Sequence, residues 1–193
     1  MITERFSQML MSDHLRHLRA GPIMAAGRMK DVTVRRLIAA HDLKLGDRGE
    51  RESGNPRYDL ADAARVFMLH ILMMKIGMSG EAATWIVNRA HEHVALIAEA
   101  ELAAITSGSA PDCPRFELRL PAMALDVPTD PEIRLHSDPD AIADRESNRG
   151  RWCEIVMDLR EIVRGARDAL VAELGHSTFG LRHDFADAPD PLR

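Results

Sequence analysis

The residues best suited to recognition chemistry are two adjacent arginines, Arg35 and Arg36, together with Thr33. An exposed arginine at the start of a helix can donate two N–H groups to O6 and N7 of guanine or can hold a phosphate, and threonine can add a phosphate contact. The alternative is a solvated helix face, because exposed arginines are common on protein surfaces. The chemistry therefore depends on the elements that position these side chains.

A short amphipathic helix over residues 31–43 would carry the arginines. Asp31 is expected to cap it, because a carboxylate can accept a free backbone N–H and is favoured at the positive end of the helix dipole. Four positions recur at three- and four-residue steps and form one stripe, while Thr33, Arg35 and Arg36 face elsewhere. The stripe consists of Val34, Leu37, Ile38 and His41.

A glycine-rich loop follows over residues 44–58 and has the composition of a flexible hairpin. Glycine permits a tight turn, and the interleaved cations could follow a phosphate backbone while the helix enters the groove. The acidic Asp47, Glu50 and Glu52 dilute this charge, so the predicted wing is not a strong electrostatic patch. The cations are Lys44, Arg48, Arg51 and Arg57.

A strongly apolar helix is predicted after this loop. Asp59 can cap it, and apolar residues occupy most of its circumference from Leu60 to Met73, which is typical of a buried helix. Gly77 is expected to end this helix, and Ser79 is expected to cap the next one. The apolar helix is therefore expected to support the recognition helix and the wing from behind.

In these features the chain resembles, as a distant relative, the MerR-type winged-helix family of DNA-binding transcription regulators. Residues 33–38 (TVRRLI), followed by Leu43, are similar to the recognition-helix pattern of that family. Residues 57–58 (RY), then Asp62 and later 76–79 (IGMS), resemble its R-x-Y, Asp and L-G-F-S signature. The resemblance covers about the first half of the chain.

The resemblance implies a winged helix-turn-helix that binds double-stranded DNA. Thr33, Arg35 and Arg36 would face the major groove, while Arg57 and Tyr58 would contact backbone phosphates from the wing. Tyr58 has an equal alternative as a core aromatic residue with its hydroxyl group satisfied. In the family a long helix after this unit often pairs subunits, so the resemblance also implies a homodimer with two reading heads on adjacent half-sites.

The segment from Ser79 to Ile105 is predicted to be that long helix, because its apolar residues recur with near-helical periods. It could pair subunits or pack only within its own chain, and the two alternatives stay open. Trp85 within it is interpreted as a packing anchor. The apolar positions are Ala82, Ala83, Ile86, Ala90, Val94, Ile97, Leu102 and Ile105.

The remainder of the chain is predicted to form a small α+β module for dimerisation or partner contact over residues 111–175, after a linker at 107–111. Strands are expected at 115–120 and 132–136, and a short strand at 152–158 is favoured over a helical start for the helix at 159–174, which Gly175 would close. The acidic segment 126–146 could repel DNA, dock a basic partner protein, mimic phosphate, or be a solvated loop.

The predicted domain order is a helical extension (1–22), a winged-helix domain with its following helix (23–106), the α+β module (111–175) and a flexible tail (176–193). The extension is expected to be one helix ended by Gly21-Pro22, and residues 23–30 would form the first helix of the DNA-binding unit. The fold class is therefore mainly α with small β elements.

Composition limits the classes of function. The hydrophobic content of 46% is typical of a globular protein, and the net charge of −5 argues against coating nucleic acid through overall charge. Residues 28–65 contain nine basic and seven acidic residues, a local balance of +2 that permits specific DNA binding. Only Cys113 and Cys153 are present, without a CxxC pair, and with no predicted membrane span or signal peptide a cytoplasmic location is expected.

Catalytic and metal-binding motifs are not apparent in the sequence. There is no GxSxG, GxxxxGK[ST] or HExxH, and His14 with His17 lacks a third metal ligand, so no enzyme activity, metal or cofactor is expected. The leading hypothesis is a sequence-specific DNA-binding transcriptional regulator. The alternative hypothesis is an adaptor or ligand sensor that does not bind DNA and uses the same winged-helix scaffold, suggested by the acidic balance and the mixed charge of the wing.

Overall fold

The computed structural model describes residues 10–46, 57–113, 115–121, 129–135 and 154–179. These residues are mainly helical with one small antiparallel sheet, which confirms the predicted mainly α class with small β elements. The helices are α1 (residues 10–16), α2 (Ala20–Ala26), α3 (Asp31–His41), α4 (Leu60–His70), α5 (Gly80–Arg89), α6 (His91–Ser107) and α7 (Leu159–Phe179). The strands are β1 (Phe116–Pro121), β2 (Glu132–Leu135) and β3 (Glu154–Asp158).

The start of the chain differs from the prediction of one helix ended by Gly21-Pro22. Helix α1 ends at residue 16, and Pro22 instead lies in the first turn of α2. Proline is tolerated there, because the first N–H groups of a helix have no partner within it. The predicted first helix of the unit, residues 23–30, is therefore displaced toward the N-terminus and becomes α2.

Helices α2 and α3 are joined by a tight four-residue turn, 27–30. The N–H of Arg28 donates to the carbonyl of Ala25 at 3.0 Å, and the N–H of Met29 donates to that of Met24 at 3.0 Å. This pair of bonds is the Schellman arrangement, which requires a left-handed residue at the position of Arg28. Arg28 accordingly has a φ of 51°.

Helix α4 follows the prediction closely at both ends. The Asp59 side chain accepts the N–H of Asp62 at 2.9 Å, and the Asp62 side chain accepts the N–H of Asp59 at 3.1 Å, which forms a capping box. The helix continues through a π-helical turn, Ile71–Ile76, and ends at Gly77, whose φ is 88°. Ser79 then caps α5 by accepting the N–H of Ala82 at 3.2 Å.

The predicted long helix from Ser79 to Ile105 is instead two helices, α5 and α6, with a break at Ala90. The backbone of Ala90 has φ −79° and ψ −5°, so the chain turns while the N–H of Ala90 still donates to the carbonyl of Ile86 at 3.0 Å. The predicted apolar face is nevertheless correct, since seven of its eight positions are buried and Ile105 is half-buried. Periodicity therefore identified the buried face but not the break.

The sheet has the order β2-β1-β3, and both pairs are antiparallel. Leu118 and Leu120 of β1 are fully buried, while Val156 of β3 is 47% exposed on the other face. The strand and helix predicted at 152–158 and 159–174 are confirmed as β3 and α7. Helix α7 does not end at Gly175 but continues to Phe179, so the predicted tail includes a last helical turn.

Helix α7 packs against α4, α2 and α6. Residues before and after 107–111 consequently line one hydrophobic core, with α4 at its centre and nine of its eleven residues buried. Because both parts contribute to this core, the core itself shows no boundary between the predicted 23–106 domain and the predicted 111–175 module. That boundary stays a prediction.

Of the helices in the part of the chain that the structure describes, none is both apolar and long enough to cross a bilayer.

Candidate nucleic-acid interface

Helix α3 presents the paired arginines as the sequence predicts. Val34 and Leu37 are buried at 0% and 5% exposure, whereas Arg35 and Arg36 are exposed and Thr33 is half-buried. Of the other two residues in the predicted packing stripe, His41 is half-buried, but Ile38 is 40% exposed, so its prediction is wrong. The Nε of Arg35 lies 2.8 Å from an oxygen of Asp31 one turn earlier, so this guanidinium is oriented along the helix. Asp31 is the first residue of the helix and not its cap, because Lys30 occupies the cap position without a side-chain bond.

The packing behind α3 is close enough to fix its position. A Cβ added at Gly80, the first residue of α5, would lie 2.8 Å from Cδ2 of Leu37. Glycine at this position therefore lets the N-terminus of α5 approach the buried face of α3. This contact on the buried side of α3 fixes the orientation of the exposed side, which carries Arg35 and Arg36.

Asn88 of α5 holds the chain where it leaves α3. Its Nδ2 donates to the carbonyl of Asp42 at 2.9 Å, and its Oδ1 accepts the N–H of Lys44 at 3.1 Å. The Lys44 side chain itself is exposed, as a phosphate contact requires. One amide side chain thus orients the start of the predicted wing through two backbone groups.

Asp62 and Arg65 of α4 form a second support for the backbone that leaves α3. Their side chains are each 4% exposed and are joined in an ion pair. Asp62 also accepts the N–H of Gly46 at 3.2 Å, and Arg65 donates to the carbonyl of Lys44. Since Asp62 accepts the N–H of Asp59 as well, this pair holds backbone groups before and after residues 47–56.

The pKa of Asp62 reflects its burial. Desolvation raises the pKa of this carboxyl group, and the neighbouring guanidinium of Arg65 opposes that shift. The bonds from the N–H groups of Gly46 and Asp59 also favour the ionised form. These three partners occupy the Asp62 carboxylate, so its role in this geometry is to hold backbone and not to face a ligand.

Tyr58 is buried, with 9% of its surface exposed. Its N–H donates to the carbonyl of Leu18 at 3.1 Å and its carbonyl accepts the N–H of Leu18 at 2.7 Å, so the two residues form an isolated antiparallel bridge. Of the two predicted roles, the structure places Tyr58 in the core position. Burial raises the pKa of its hydroxyl, the carboxylates of Asp62 and Asp31 raise it further, and the guanidinium of Arg35 lowers it.

The remaining predicted contacts divide into two groups. Arg57 is exposed next to Tyr58, whereas Arg48 and Arg51, like the rest of 47–56, lie outside the described residues.

Within residues 28–46 and 57–65, six cations are exposed against two exposed carboxylates. The exposed cations are Arg28, Lys30, Arg35, Arg36, Lys44 and Arg57, and the carboxylates are Asp31 and Asp42.

Sequence reasoning did not single out two of these cations or the supports behind them. Arg28 and Lys30 lie in the turn before α3. Their position just before Asp31, the first residue of the helix, was the sequence signal that could have identified them. Asp62 was noted through the family resemblance, but its pairing with Arg65 was not. Asn88 had no local signal, because its partners lie 44 and 46 residues away in the chain.

A second polar cluster lies between α6 and α7. Glu101 of α6 is fully buried and pairs with Arg164 at 3.0 Å and with Arg167, both on α7. It lines a cavity of about 230 Å³ with Arg167, Ser109 and Pro111. Because these guanidinium groups are already bonded to Glu101, Glu161 or Asp168, the cluster is interpreted as a connection between α6 and α7.

Trp85 is not the packing anchor that the sequence predicts. It is 41% exposed, its Nε1 donates to Asp130 at 3.1 Å, and the guanidinium of Arg89 lies 4.9 Å from the ring centroid. Asp130 also pairs with Arg89 at 2.9 Å, so the start of the acidic segment docks on α5. Most other acids of 126–146, and Cys153, lie outside the described residues.

Possible metal ligands do not cluster within the residues that the structure describes. Among those residues, no three His, Cys, Asp or Glu side chains form a group that could hold a metal ion. His14 and His17 are both exposed, and the Nδ1 of His14 is within 2.8 Å of the carbonyl of Leu10. Cys113 is half-buried, and burial raises the pKa of its thiol.

Comparison with known proteins adds no assignment. No protein-family model, no curated protein and no solved structure matches the chain.

Proposed function

We propose that this chain is a sequence-specific DNA-binding transcriptional regulator with a winged helix-turn-helix. In this proposal α3 enters the major groove, and Lys44, Arg48, Arg51 and Arg57 contact phosphates from the segment 44–58. The observation that carries the proposal is the exposure of Arg35 and Arg36 on a short helix whose opposite face is fixed by buried Val34 and Leu37.

The charge around α3 supports this function despite the acidic chain. Among the described residues 28–46 and 57–65, six cations are exposed against two carboxylates, and one of those carboxylates, Asp31, is paired with Arg35. Binding to DNA depends on such local charge and on the counterions released from the contacted phosphates. The overall charge of −5 therefore disfavours nonspecific coating of DNA more than it disfavours a specific contact.

The anchoring of the segment 47–56 at both ends also supports a wing. Asn88, Asp62 and Arg65 hold the backbone at Asp42, Lys44 and Gly46, and the bridge of Tyr58 to Leu18 holds the far end. Loops positioned in this way on a rigid scaffold commonly carry binding residues. The proposal includes a homodimer in the cytoplasm without catalytic activity, and a partner protein at residues 111–175.

The proposal is tested with duplexes selected from a randomised library by the full chain. The variant Arg35→Ala/Arg36→Ala should lose about 10-fold or more in affinity, since a good bidentate base contact contributes about 1–3 kcal/mol of discrimination. Arg115→Ala is the matched control, because it removes one exposed arginine next to the sheet. Equal binding by the double variant and the control would remove the recognition-helix assignment.

Salt dependence distinguishes the regulator from the adaptor or ligand sensor. For the regulator, log K should fall linearly with log salt, with a slope of about −0.9 for each phosphate contacted. An adaptor without DNA binding should give no signal even in dilute buffer. The adaptor has support in the burial of Tyr58 and the pairing of Arg35 with Asp31, which reduce the groups available to phosphate.

A further inference from the structure

A stripe of Val32, Arg36 and Ala39 runs along the outward side of α3, with Val32 and Ala39 at its centre. With 3.6 residues per turn, these three residues lie within about 60° of one another around the helix axis. Buried Val34 and Leu37 lie on the opposite side of the helix. Val32 is 69% exposed, and both Arg36 and Ala39 are also exposed.

Arg35 has a different place on the helix. It lies about 60° to one side of Val32 and is engaged by the carboxylate of Asp31 at 2.8 Å. Arg36 lies at the other edge of the stripe, as far from the outward direction as Arg35, but no ion pair joins it to a carboxylate within the described part of the chain. A helix in the major groove places its outermost residues against base edges and its flanks against phosphates. Arg36 can therefore turn toward base edges, whereas the carboxylate of Asp31 holds Arg35 along the helix.

The chemistry of the stripe selects a particular pair of bases. Arginine donates its two N–H groups to O6 and N7 of guanine, and apolar side chains contact the C5-methyl group of thymine. An exposed valine one helical turn from an arginine offers both contacts from one face. The small side chain of Ala39 keeps the rest of the stripe close to the groove floor.

We propose that Val32 is a specificity residue that contacts the C5-methyl group of a thymine close to the guanine bound by Arg36. This inference rests on the proposed function, since it requires α3 to lie in the major groove. It adds a residue that neither the arginine pattern nor the family resemblance indicated. It also specifies the target, because each half-site must contain a thymine whose methyl group contributes to affinity.

The test uses a duplex selected from a randomised library, in which each thymine is replaced in turn by deoxyuridine. Deoxyuridine lacks only the C5-methyl group, so wild-type affinity should fall about fourfold at one thymine, the equivalent of one buried methyl group. Val32→Ala should weaken binding of the thymine duplex to a similar extent and should not distinguish thymine from deoxyuridine at that position. Val171→Ala, which truncates an exposed valine on α7, should bind both duplexes as the wild type does.

The outcomes separate the inference from the function on which it rests. If no duplex is enriched by the wild-type chain, both the DNA-binding function and the role of Val32 are rejected. If DNA binds and Arg36→Ala weakens it, but Val32→Ala responds to deoxyuridine as the wild type does, the function stands and the role of Val32 is rejected. The Val32→Ala variant should fold as the wild type does, because Val32 is exposed and alanine favours a helix.

Discussion

Asp62 and Arg65 form a buried ion pair on α4, with both side chains only 4% exposed. Through Gly46, Lys44 and Asp59 this pair is bonded to the backbone on both sides of the segment 47–56. These bonds therefore join the end of α3 and the start of α4 to a helix with nine of its eleven residues buried.

Removing the carboxylate of this pair should destabilise the protein. Asp62→Ala leaves the guanidinium of Arg65 buried without its charge partner, and the expected loss in free energy of unfolding is about 3–5 kcal/mol. The measurement is urea unfolding followed by circular dichroism. Asp31→Ala is the control for an exposed pair on α3, 46% and 75% exposed, and should cost about 0.5 kcal/mol. Equal losses in the two variants would show that Asp62 and Arg65 are hydrated in solution.

Tyr58 should ionise at a pH above the ordinary tyrosine value of about 10. Burial raises its pKa, so the folded state retains a proton that the unfolded state releases. Stability from this group is complete below the unfolded pKa and is lost as the pH rises through the raised folded pKa. As Tyr58 is the only tyrosine, tyrosinate absorbance reports it alone, and Tyr58→Phe removes the signal. A native midpoint at the urea-unfolded value would place the hydroxyl in solvent, available to phosphate.

The turn between α2 and α3 should not tolerate a side chain at Gly27. A Cβ there would lie 2.4 Å from Cγ1 of Val66 and 3.2 Å from the Val66 carbonyl carbon, so α2 and α4 must separate. Gly27→Ala should cost about 1–3 kcal/mol of stability, the usual range for overpacking. Gly175→Ala is the opposite case, because nothing lies near its Cβ inside α7, and it should stabilise by about 0.5–1 kcal/mol. A Gly27→Ala variant as stable as the wild type would contradict the close packing described at Gly27.

Arg28 should be a position where stability and DNA binding conflict. Its φ of 51° costs about 1 kcal/mol or more for a residue with a Cβ, so Arg28→Gly should stabilise the fold by about that amount. If Arg28 contacts phosphate, the same variant should bind DNA more weakly and reduce the salt slope by about 1. Arg28→Ala keeps the strained conformation and removes the charge, so it should show the affinity loss without the gain in stability. Unchanged DNA binding in both variants would assign Arg28 to the turn alone.

Glu101 should be essential to the contact between α6 and α7. It is fully buried and bonded to Arg164 and Arg167, and its hydrogen bond raises the pKa of Arg164. Glu101→Gln removes the carboxylate charge that both guanidinium groups pair with, and the expected loss in free energy of unfolding is about 3–5 kcal/mol. Glu161→Gln removes an exposed partner of the same Arg164 and should cost less than about 1 kcal/mol. Similar thermal unfolding midpoints for the two variants would contradict this assignment.

Much of the local structure was predictable because its causes act within one helical turn. Asp59 and Ser79 cap helices through bonds to residues three positions later, and Gly77 ends a helix through its own left-handed conformation. The apolar period of α5 and α6 likewise marked residues such as Ile86 and Ile97 as buried. The exposure of Arg35 and Arg36 followed from the same rule, because their neighbours Val34 and Leu37 occupy the inner face.

Errors arose where a local signal had more than one structural outcome. Pro22 was expected to end a helix, although proline is equally compatible with a first turn, where α2 places it. Gly175 was expected to close α7, but packing of the preceding turns on α4 and α6 holds the helix through it. Trp85 was assigned to the core from its type, whereas Arg89 and Asp130 hold it at the surface.

The sequence alone therefore determined the mainly α class, the capped ends of α4 and the outward face of α3, since these depend on neighbours within about four residues. Tertiary structure decided that Tyr58 is buried against Leu18, that Asn88 holds Asp42 and Lys44, and that α7 shares the core of α4. These contacts join residues far apart in the chain. Which of them form depends on how the helices pack against one another, and no local pattern of residues contains that information.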